Sequence, residues 1–309
     1  MDHFKQYLAE EVALDHADGQ LTRREALRRL GMMGVSLTAA SALLAACGDD
    51  GEDQTVAPSG GQSSPTTAAA AVTTTAVGPS TTRAATTPVA HQDITYPGPN
   101  GTLMGAYAAA AGTRKGAVVV IHENRGLTDN IKAVAGRLAG DGYSALAVDL
   151  LSEEGGTAAV PAANVSAALN SAGPSRIRAD IIATMDELAK RNPGAKLGLI
   201  GFCFGGAVTW DFLTVGEPRL AAAAPFYGTV PAEVSFEKNR AAVFGVYGET
   251  DNRVNATREA AKAALARTTV PHEIKTYPGV GHGFYSQIES EQSKQAYSDV
   301  LNWFDRYLR

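Results

Sequence analysis

The 309-residue chain has very little cysteine, because only Cys47 and Cys203 occur in it. Two thiols form at most one disulfide and cannot supply four zinc ligands, so the sequence excludes a disulfide-stapled scaffold and a four-cysteine zinc module. It also lacks a long run of lysine and arginine, and its formal net charge is −5. Since binding to phosphates needs a concentrated positive face, we expect no nucleic-acid partner.

Long apolar runs are scarce as well, and the one near the N-terminus is diluted by glycine, serine and threonine. It covers residues 30–46 and directly follows an arginine-rich stretch at residues 22–29. A basic stretch, an apolar stretch and small residues ahead of a cleavage site are the parts of an export signal. The run is marginal for a hydrocarbon core roughly 30 Å thick. An uncleaved membrane anchor and a plain buried helix are the alternatives.

Two short motifs refine the prediction for residues 1–47. Arg23 and Arg24 resemble the arginine pair of twin-arginine signals, which export folded proteins, although Ala26 stands where a bulky apolar residue is usual. Residues 44–47 resemble a bacterial lipobox, which implies that Cys47 is lipidated and begins the mature chain. We therefore expect an export signal with lipobox and an exported lipoprotein, anchored at Cys47 on the outer side of the cytoplasmic membrane.

Residues 48–90 consist mainly of alanine, threonine, serine, proline and glycine, with hardly a large apolar side chain. Such a stretch cannot bury enough apolar surface to offset the entropy lost on ordering. The prediction is a disordered linker between the lipid anchor and a folded domain.

Residues 91–309 show a different pattern, in which apolar runs rich in β-branched residues alternate with segments of helical spacing. Nearly continuous apolar strands separated by amphipathic helices favour a mostly parallel sheet. Two short segments near residues 93–107, split by a proline- and glycine-rich turn, predict an antiparallel hairpin at its edge. The expected fold class is α/β, with a central sheet and helices on both of its faces.

The sharpest local signal for chemistry is a cysteine between glycines where an apolar strand at residues 197–200 gives way to a helix. Gly201, Cys203 and Gly205 have the spacing of a nucleophile elbow, with cysteine in place of serine. Glycine leaves room for neighbouring backbone at such a strained turn, and the helix N-terminus favours thiolate. A buried structural cysteine in a glycine-rich turn is the alternative.

Two downstream residues favour the catalytic interpretation. An α/β-hydrolase orders its triad as nucleophile, acid and histidine, and here Asp251 follows one predicted strand while His282 follows the next. Both lie at the carboxyl ends of strands, where open α/β sheets build their sites. Asp251 would orient the imidazole and His282 would accept the thiol proton. Glu249 and Asp149 are weaker candidates for the acid.

A second motif, at residues 119–127, follows the first long strand. This is the place where α/β-hydrolases supply one oxyanion-hole amide, so we assign that role to the backbone N–H of Asn124, paired with that of Phe204. His122 and Glu123 do not form a metalloprotease motif, because no second histidine follows at the required spacing. We expect no metal site and no cofactor.

With these motifs in view, residues 91–309 resemble the dienelactone hydrolase (carboxymethylenebutenolidase) family. The resemblance rests on the loop around Glu123, the Cys203 elbow, the Asp251 turn and the glycine-flanked His282. It implies an α/β-hydrolase fold and a glutamate, Glu123, that pairs with the cysteine in the resting enzyme and moves away when substrate binds.

The sequence departs from this family where arginines bind a substrate carboxylate. Ser286 lies about where an arginine is expected after the catalytic histidine. The candidate substitutes are Arg125, Arg176, Arg178 and Arg253. The resemblance therefore predicts the class of reaction for this chain more firmly than it predicts the substrate.

The predicted function is hydrolysis of a small-molecule carboxylic ester or lactone through a triad of Cys203, His282 and Asp251. A thioesterase is one alternative. A non-catalytic lipoprotein that keeps the hydrolase shell to bind a ligand is the other. A serine esterase is disfavoured because no Gly-x-Ser-x-Gly motif occurs in residues 91–309.

Overall fold

A computed structural model describes residues 2–17, 19–47 and 86–309 of the chain. Except for its last five residues, the linker predicted at 48–90 lies outside the described residues. The predicted signal, at residues 1–47, is described almost completely, and so is the whole predicted catalytic domain at 91–309.

A single eight-stranded sheet forms the centre of the described structure. The strands are β1 Gln92–Gly98, β2 Gly101–Ala108, β3 Gly116–Ile121, β4 Tyr143–Asp149, β5 Leu197–Phe202, β6 Leu220–Phe226, β7 Ala242–Gly248 and β8 His272–Tyr277. Their spatial order is β1-β2-β4-β3-β5-β6-β7-β8. Strand β2 pairs antiparallel with β1 and β4, and every other pairing is parallel. The predicted edge hairpin and mostly parallel sheet are both confirmed.

Eight α-helices surround the sheet in the described part of the chain. They are α1 His3–Ala17, α2 Arg23–Met32, α3 Leu37–Cys47, α4 Asp129–Gly140, α5 Val165–Arg191, α6 Phe204–Val215, α7 Asn252–Ala266 and α8 Glu291–Tyr307. Helix α5 is kinked at Gly173, which has a φ of 68° and precedes Pro174.

The composition of the strands explains the layered arrangement. Strands β3, β4, β5 and β7 are buried at every residue, and their sequences run apolar without alternation. A strand that is buried on both faces needs cover on both sides, which the flanking helices supply. The α/β-hydrolase fold predicted from the sequence is confirmed. Its parallel strands end at a common edge, and the loops of Glu123, Cys203, Asp251 and His282 start there.

The segment before the linker folds onto the catalytic domain. Helix α1 packs against α5 and α6, and α1, α2 and α3 pack against one another. The apolar run at residues 30–46 is divided, because α2 ends at Met32 and α3 begins at Leu37. Among the described helices, none has the length and apolarity needed to cross a membrane.

Candidate active site

Cys203 occupies a strained turn between β5 and α6. Its φ and ψ are 57° and −117°, a region that non-glycine residues rarely adopt. Glycines make the turn sterically feasible: a Cβ on Gly201 would lie 2.1 Å from the carbonyl oxygen of Gly205, and one on Gly205 would lie 2.5 Å from that of Ile121. The predicted elbow is therefore present, with Cys203 directly before the N-terminus of α6.

Replacing Gly201 by alanine should destabilise the fold, because the new methyl group would overlap backbone that cannot move away. We expect Gly201→Ala to lower the free energy of unfolding by about 1–3 kcal/mol, measured from urea unfolding curves. Gly31→Ala is the matched control, since nothing lies within 4 Å of a Cβ added there. Equal stability of the two variants would show that the elbow does not depend on Gly201.

Asp251 and His282 come together as the sequence predicts. Nδ1 of His282 lies 2.6 Å from Oδ2 of Asp251. Because a carboxylate only accepts, Nδ1 carries the proton and Nε2 is left facing the cysteine. Asp251 is buried, and its Oδ1 accepts from the backbone N–H of Val254 at 3.2 Å, which also caps α7. Cys203 Sγ and His282 Nε2 lie within 4.8 Å of each other.

The weaker acid candidates serve other contacts. Glu249 accepts from the backbone N–H of Gly279 at 2.8 Å and so supports the loop that leads to His282. Asp149 accepts from the N–H and the hydroxyl of Thr157, at 2.7 and 2.8 Å. Neither of these carboxylates bonds to the imidazole in the described structure.

The loop that contains Glu123 and Asn124 is held by His122. Nδ1 of His122 donates to the carbonyl of Glu123 at 2.7 Å, and Nε2 accepts from the backbone N–H of Leu150 at 3.2 Å. Burial lowers the pKa of His122, which agrees with a neutral ring in this tautomer. In the described residues, the amides of Asn124 and Phe204 donate to no protein acceptor. Two free amides are what an oxyanion hole requires.

Glu123 is partly buried beside a cavity of about 80 Å³. Burial raises the pKa of its carboxyl, and the charges of His282 and Arg125 act in the opposite direction. The cavity is lined by Glu123, Phe202, Tyr227, Tyr285 and Ser286, among others. Among the described residues no hydrogen bond joins Glu123 to Cys203, so the pairing implied by the family resemblance is not formed in this structure.

Helix α1 brings two further side chains into the site. The hydroxyl of Tyr7 donates to Cys203 Sγ at 3.3 Å. Oε1 of Glu11 lies 3.4 Å from His282 Nε2, and Glu11 also forms an ion pair with Arg253. The Arg253 guanidinium lies 4.5 Å from the centre of the Tyr7 ring. The sequence interpretation missed Tyr7 and Glu11 entirely.

Burial and the Glu11 charge set the electrostatics of the reactive pair. Burial raises the pKa of the Cys203 thiol, the Glu11 carboxylate raises it further, and His282 acts in the opposite direction. Burial lowers the pKa of His282, but Glu11, Cys203 and the hydrogen bond that His282 donates to Asp251 outweigh it and raise that pKa well above its usual value. With α1 in place, the thiol form of Cys203 is therefore favoured.

Of the four arginines considered for a substrate carboxylate, only Arg253 reaches this cluster. It is largely buried and its carboxylate partners are Glu11 and Glu10, both on α1. The other three are engaged elsewhere: Arg125 with Gln20, Arg176 with Glu154, and Arg178 with Asp211.

By ligand type, Glu11, Cys203 and His282 could hold a metal ion, since their ligand atoms all lie within 4.8 Å of one another. The Glu11 carboxylate already forms an ion pair with the Arg253 guanidinium, which places a positive charge beside it. A cation would be repelled there, so the donor set fits a metal poorly.

Comparisons of the sequence and of the structure with known proteins agree on one family. The family model described as the dienelactone hydrolase family matches residues 103–308. A protein of Salmonella typhimurium that is provisionally named carboxymethylenebutenolidase is 29% identical over 231 residues, covering 67% of this chain and 84% of that protein. One of Methylorubrum extorquens with the same provisional name is 28% identical over 257 residues, covering 72% and 88%.

Solved structures show the same likeness. A crystal structure from Klebsiella pneumoniae, provisionally named as a dienelactone hydrolase, matches with a TM-score of 0.62 and 25% sequence identity. The match covers 71% of this chain and 99% of that one.

Proposed function

Because the chain belongs to the dienelactone hydrolase family and is a hydrolase that acts on esters or lactones, we propose that it cleaves its substrate by acyl transfer to Cys203. The observation that carries the proposal is the hydrogen bond between His282 Nδ1 and Asp251 at 2.6 Å, which leaves Nε2 facing the elbow cysteine. The geometry has the parts of a nucleophile, a base and a group that orients the base.

In the first half of the reaction His282 Nε2 takes the thiol proton, and the thiolate attacks the carbonyl carbon. The amides of Asn124 and Phe204 donate to the oxyanion of the tetrahedral intermediate. The C–O bond then breaks, and His282 gives its proton to the departing alkoxide. A thioester on Cys203 remains. In the second half His282 takes a proton from water, hydroxide attacks the thioester, and the acid leaves as the thiol re-forms.

Glu123 has a supporting role in this proposal. Burial raises the pKa of its carboxyl, so it can accept a proton near neutral pH more readily than a solvated carboxylate. In the resting enzyme it would pair with the Cys203 thiol, and when a substrate rearranges the site it would turn away and leave the thiol proton to His282. Glu123 lines the cavity, and it lies close enough to His282 for that charge to act on the pKa of its carboxyl. Both observations support the assignment.

The test of the proposed function is hydrolysis of p-nitrophenyl acetate and a small lactone by the full chain, before and after iodoacetamide. We expect the untreated chain to hydrolyse these substrates. Iodoacetamide should abolish the hydrolysis at the same rate as it alkylates Cys203. A protein that binds esters without turning them over would instead support a ligand-binding role.

For the N-terminal part, we propose that residues 1–47 direct export and that Cys47 carries the lipid anchor. The basic residues Arg23 and Arg24 are exposed at the start of α2, where an export receptor could reach them. In this proposal the enzyme lies on the outer side of the cytoplasmic membrane.

The anchor makes a direct prediction for cells that grow with a labelled fatty acid. The full chain should take up the label and appear in the membrane fraction, and Cys47→Ala should lose both properties because no other lipobox cysteine is present. Cys203→Ala is the matched control and should keep the label. Labelling of the Cys47→Ala chain would contradict the anchor.

A further inference from the structure

Helix α1 presents one apolar face to the active site. Phe4, Tyr7, Leu8, Glu11 and Val12 recur at helical spacing, and all five are buried. Phe4 and Tyr7 pack on the ring of Phe204, with ring centres 5.5 and 6.2 Å away. The face that α1 buries is thus turned to the residue that follows the nucleophile.

Polar contacts fix the register of α1 over the site. Glu11 lies at the centre, with Arg253 and His282 on its Oε1 and the Asn124 side chain 3.4 Å from its Oε2. Towards the N-terminus of α1, Nε2 of His3 donates to the carbonyl of Thr229 at 3.1 Å. Apolar packing alone does not fix the register of α1, whereas a buried ion pair and these directional hydrogen bonds do.

With α1 in this position, a substrate cannot reach the nucleophile. Cys203 is only 4% exposed, and its sulfur accepts from Tyr7. The cavity beside the site holds about 80 Å³, whereas ligand pockets are commonly about 300–1,000 Å³. A much larger hollow, about 550 Å³, lies around Gly116 and Arg309, at the amino end of β3 and so at the opposite edge of the sheet.

We propose that α1 is an inhibitory segment, docked on the surface formed by Cys203, Phe204, His282 and Arg253, and that the enzyme turns over only when α1 leaves this surface. The proposal rests on the proposed function, in which Cys203 is the nucleophile. Because α1 lies ahead of the predicted cleavage site before Cys47, removal of the signal would also detach α1. The uncleaved chain would then keep a low activity until it is processed.

The ion pair between Glu11 and Arg253 offers a way to shift α1 without truncating the chain. When α1 is docked, Glu11→Gln removes the nearer of the two α1 carboxylates beside the largely buried Arg253 and leaves only Glu10, 3.5 Å from it. When α1 is released, water solvates that arginine in either chain. The substitution therefore raises the free energy of the docked state alone and shifts the population towards the released state.

The experiment uses the full chain with Cys47→Ser, so that Cys203 is the only thiol. The rate of alkylation by iodoacetamide and kcat/KM for p-nitrophenyl acetate are measured for this chain and for Glu11→Gln and Phe4→Ala. We expect both quantities to rise about tenfold or more in each variant, the usual scale on which loss of a buried contact shifts a two-state population. Phe4→Ala is needed because it changes no charge, so faster alkylation cannot come from a shifted thiol pKa.

Two control variants match these changes elsewhere. Gln6→Ala alters the exposed face of α1, and Glu259→Gln removes an exposed carboxylate from α7. Both should react like the parent chain.

Three results separate the outcomes. An unchanged rate of alkylation in Glu11→Gln and Phe4→Ala would overturn the proposal. A fall in turnover for Glu11→Gln would also overturn it, because Glu11 would then contribute to catalysis instead of inhibiting it. Faster alkylation without ester or lactone hydrolysis in any chain would support the docked segment and contradict the proposed function. If Phe4→Ala fails to fold, hydrogen exchange of the α1 amides in Glu11→Gln, faster than in Gln6→Ala, replaces it.

Discussion

Replacing Cys203 by alanine is expected to reduce kcat/KM for p-nitrophenyl acetate by about 10⁴-fold or more, the scale seen when a nucleophile is removed from a catalytic triad. The substitution removes the only atom that can form the acyl intermediate, while the two amides of the oxyanion hole stay in place. Residual hydrolysis should come from those amides and from binding alone.

This prediction is best measured in two backgrounds, the natural chain and Glu11→Gln. The second background keeps the effect visible if α1 lowers the starting activity. Cys47→Ala is the matched cysteine control. As an unprocessed chain it should hydrolyse like the unprocessed parent, because Cys47 precedes the predicted linker and is not part of the proposed catalytic site. Hydrolysis that is unchanged in Cys203→Ala in both backgrounds would refute the cysteine mechanism.

The second large effect is expected for Asp251→Asn. A carboxylate accepts the Nδ1 proton of His282 and so presents a basic Nε2 to the thiol, whereas an amide can donate to Nδ1 and stabilise the wrong tautomer. In a triad this change lowers kcat by about 10⁴-fold. The fold should survive, because the asparagine oxygen can still accept from Val254 at the start of α7.

Glu249→Gln provides the matched comparison. Its side chain also lies in the loop after β7, but its contact is with the backbone N–H of Gly279, and an amide oxygen can accept that bond as well. We expect kcat to change by less than about tenfold, the scale of a lost surface contact. A larger loss for Glu249→Gln than for Asp251→Asn would transfer the acid role to Glu249.

The fold and the grouping of the triad could be predicted because both follow from local rules. Strands such as β3 and β5 are apolar throughout, which indicates a covered parallel sheet. Glycines at 201 and 205 mark a place where a strained turn has room for backbone on both sides. Since parallel strands end at one edge, residues that follow β5, β7 and β8 must meet there.

The position of α1 could not be predicted from such rules. The residues from Phe4 to Val12 that pack on the site recur at helical spacing, but the surface they contact is nearly 200 positions away in the sequence, as the contact between Tyr7 and Cys203 shows. The export-signal motifs lie in residues 22–47, and no motif accounts for residues 3–17. His3, which lies in this segment, is partly buried and bonds to Thr229.

The position of Arg253 in the site could not be predicted either, because four arginines could supply the positive charge that binds a substrate carboxylate. Burial and geometry distinguish it. Arg253 reaches Glu11 beside His282 and Cys203, while the other three bond to Gln20, Glu154 and Asp211. Which arginine faces a site depends on how α7 is set against the sheet, and a one-dimensional pattern does not contain that information.

The most direct measurement of the central proposal is mass spectrometry of the chain quenched during turnover of p-nitrophenyl acetate, in the Glu11→Gln background. An acyl intermediate should appear as one added acetyl group on the peptide that contains Cys203, and it should be absent from Cys203→Ala. It should decay with the rate constant of turnover when deacylation is the slow step. An acetyl group on another side chain that forms and decays at that rate, with Cys203 unmodified, would contradict the mechanism.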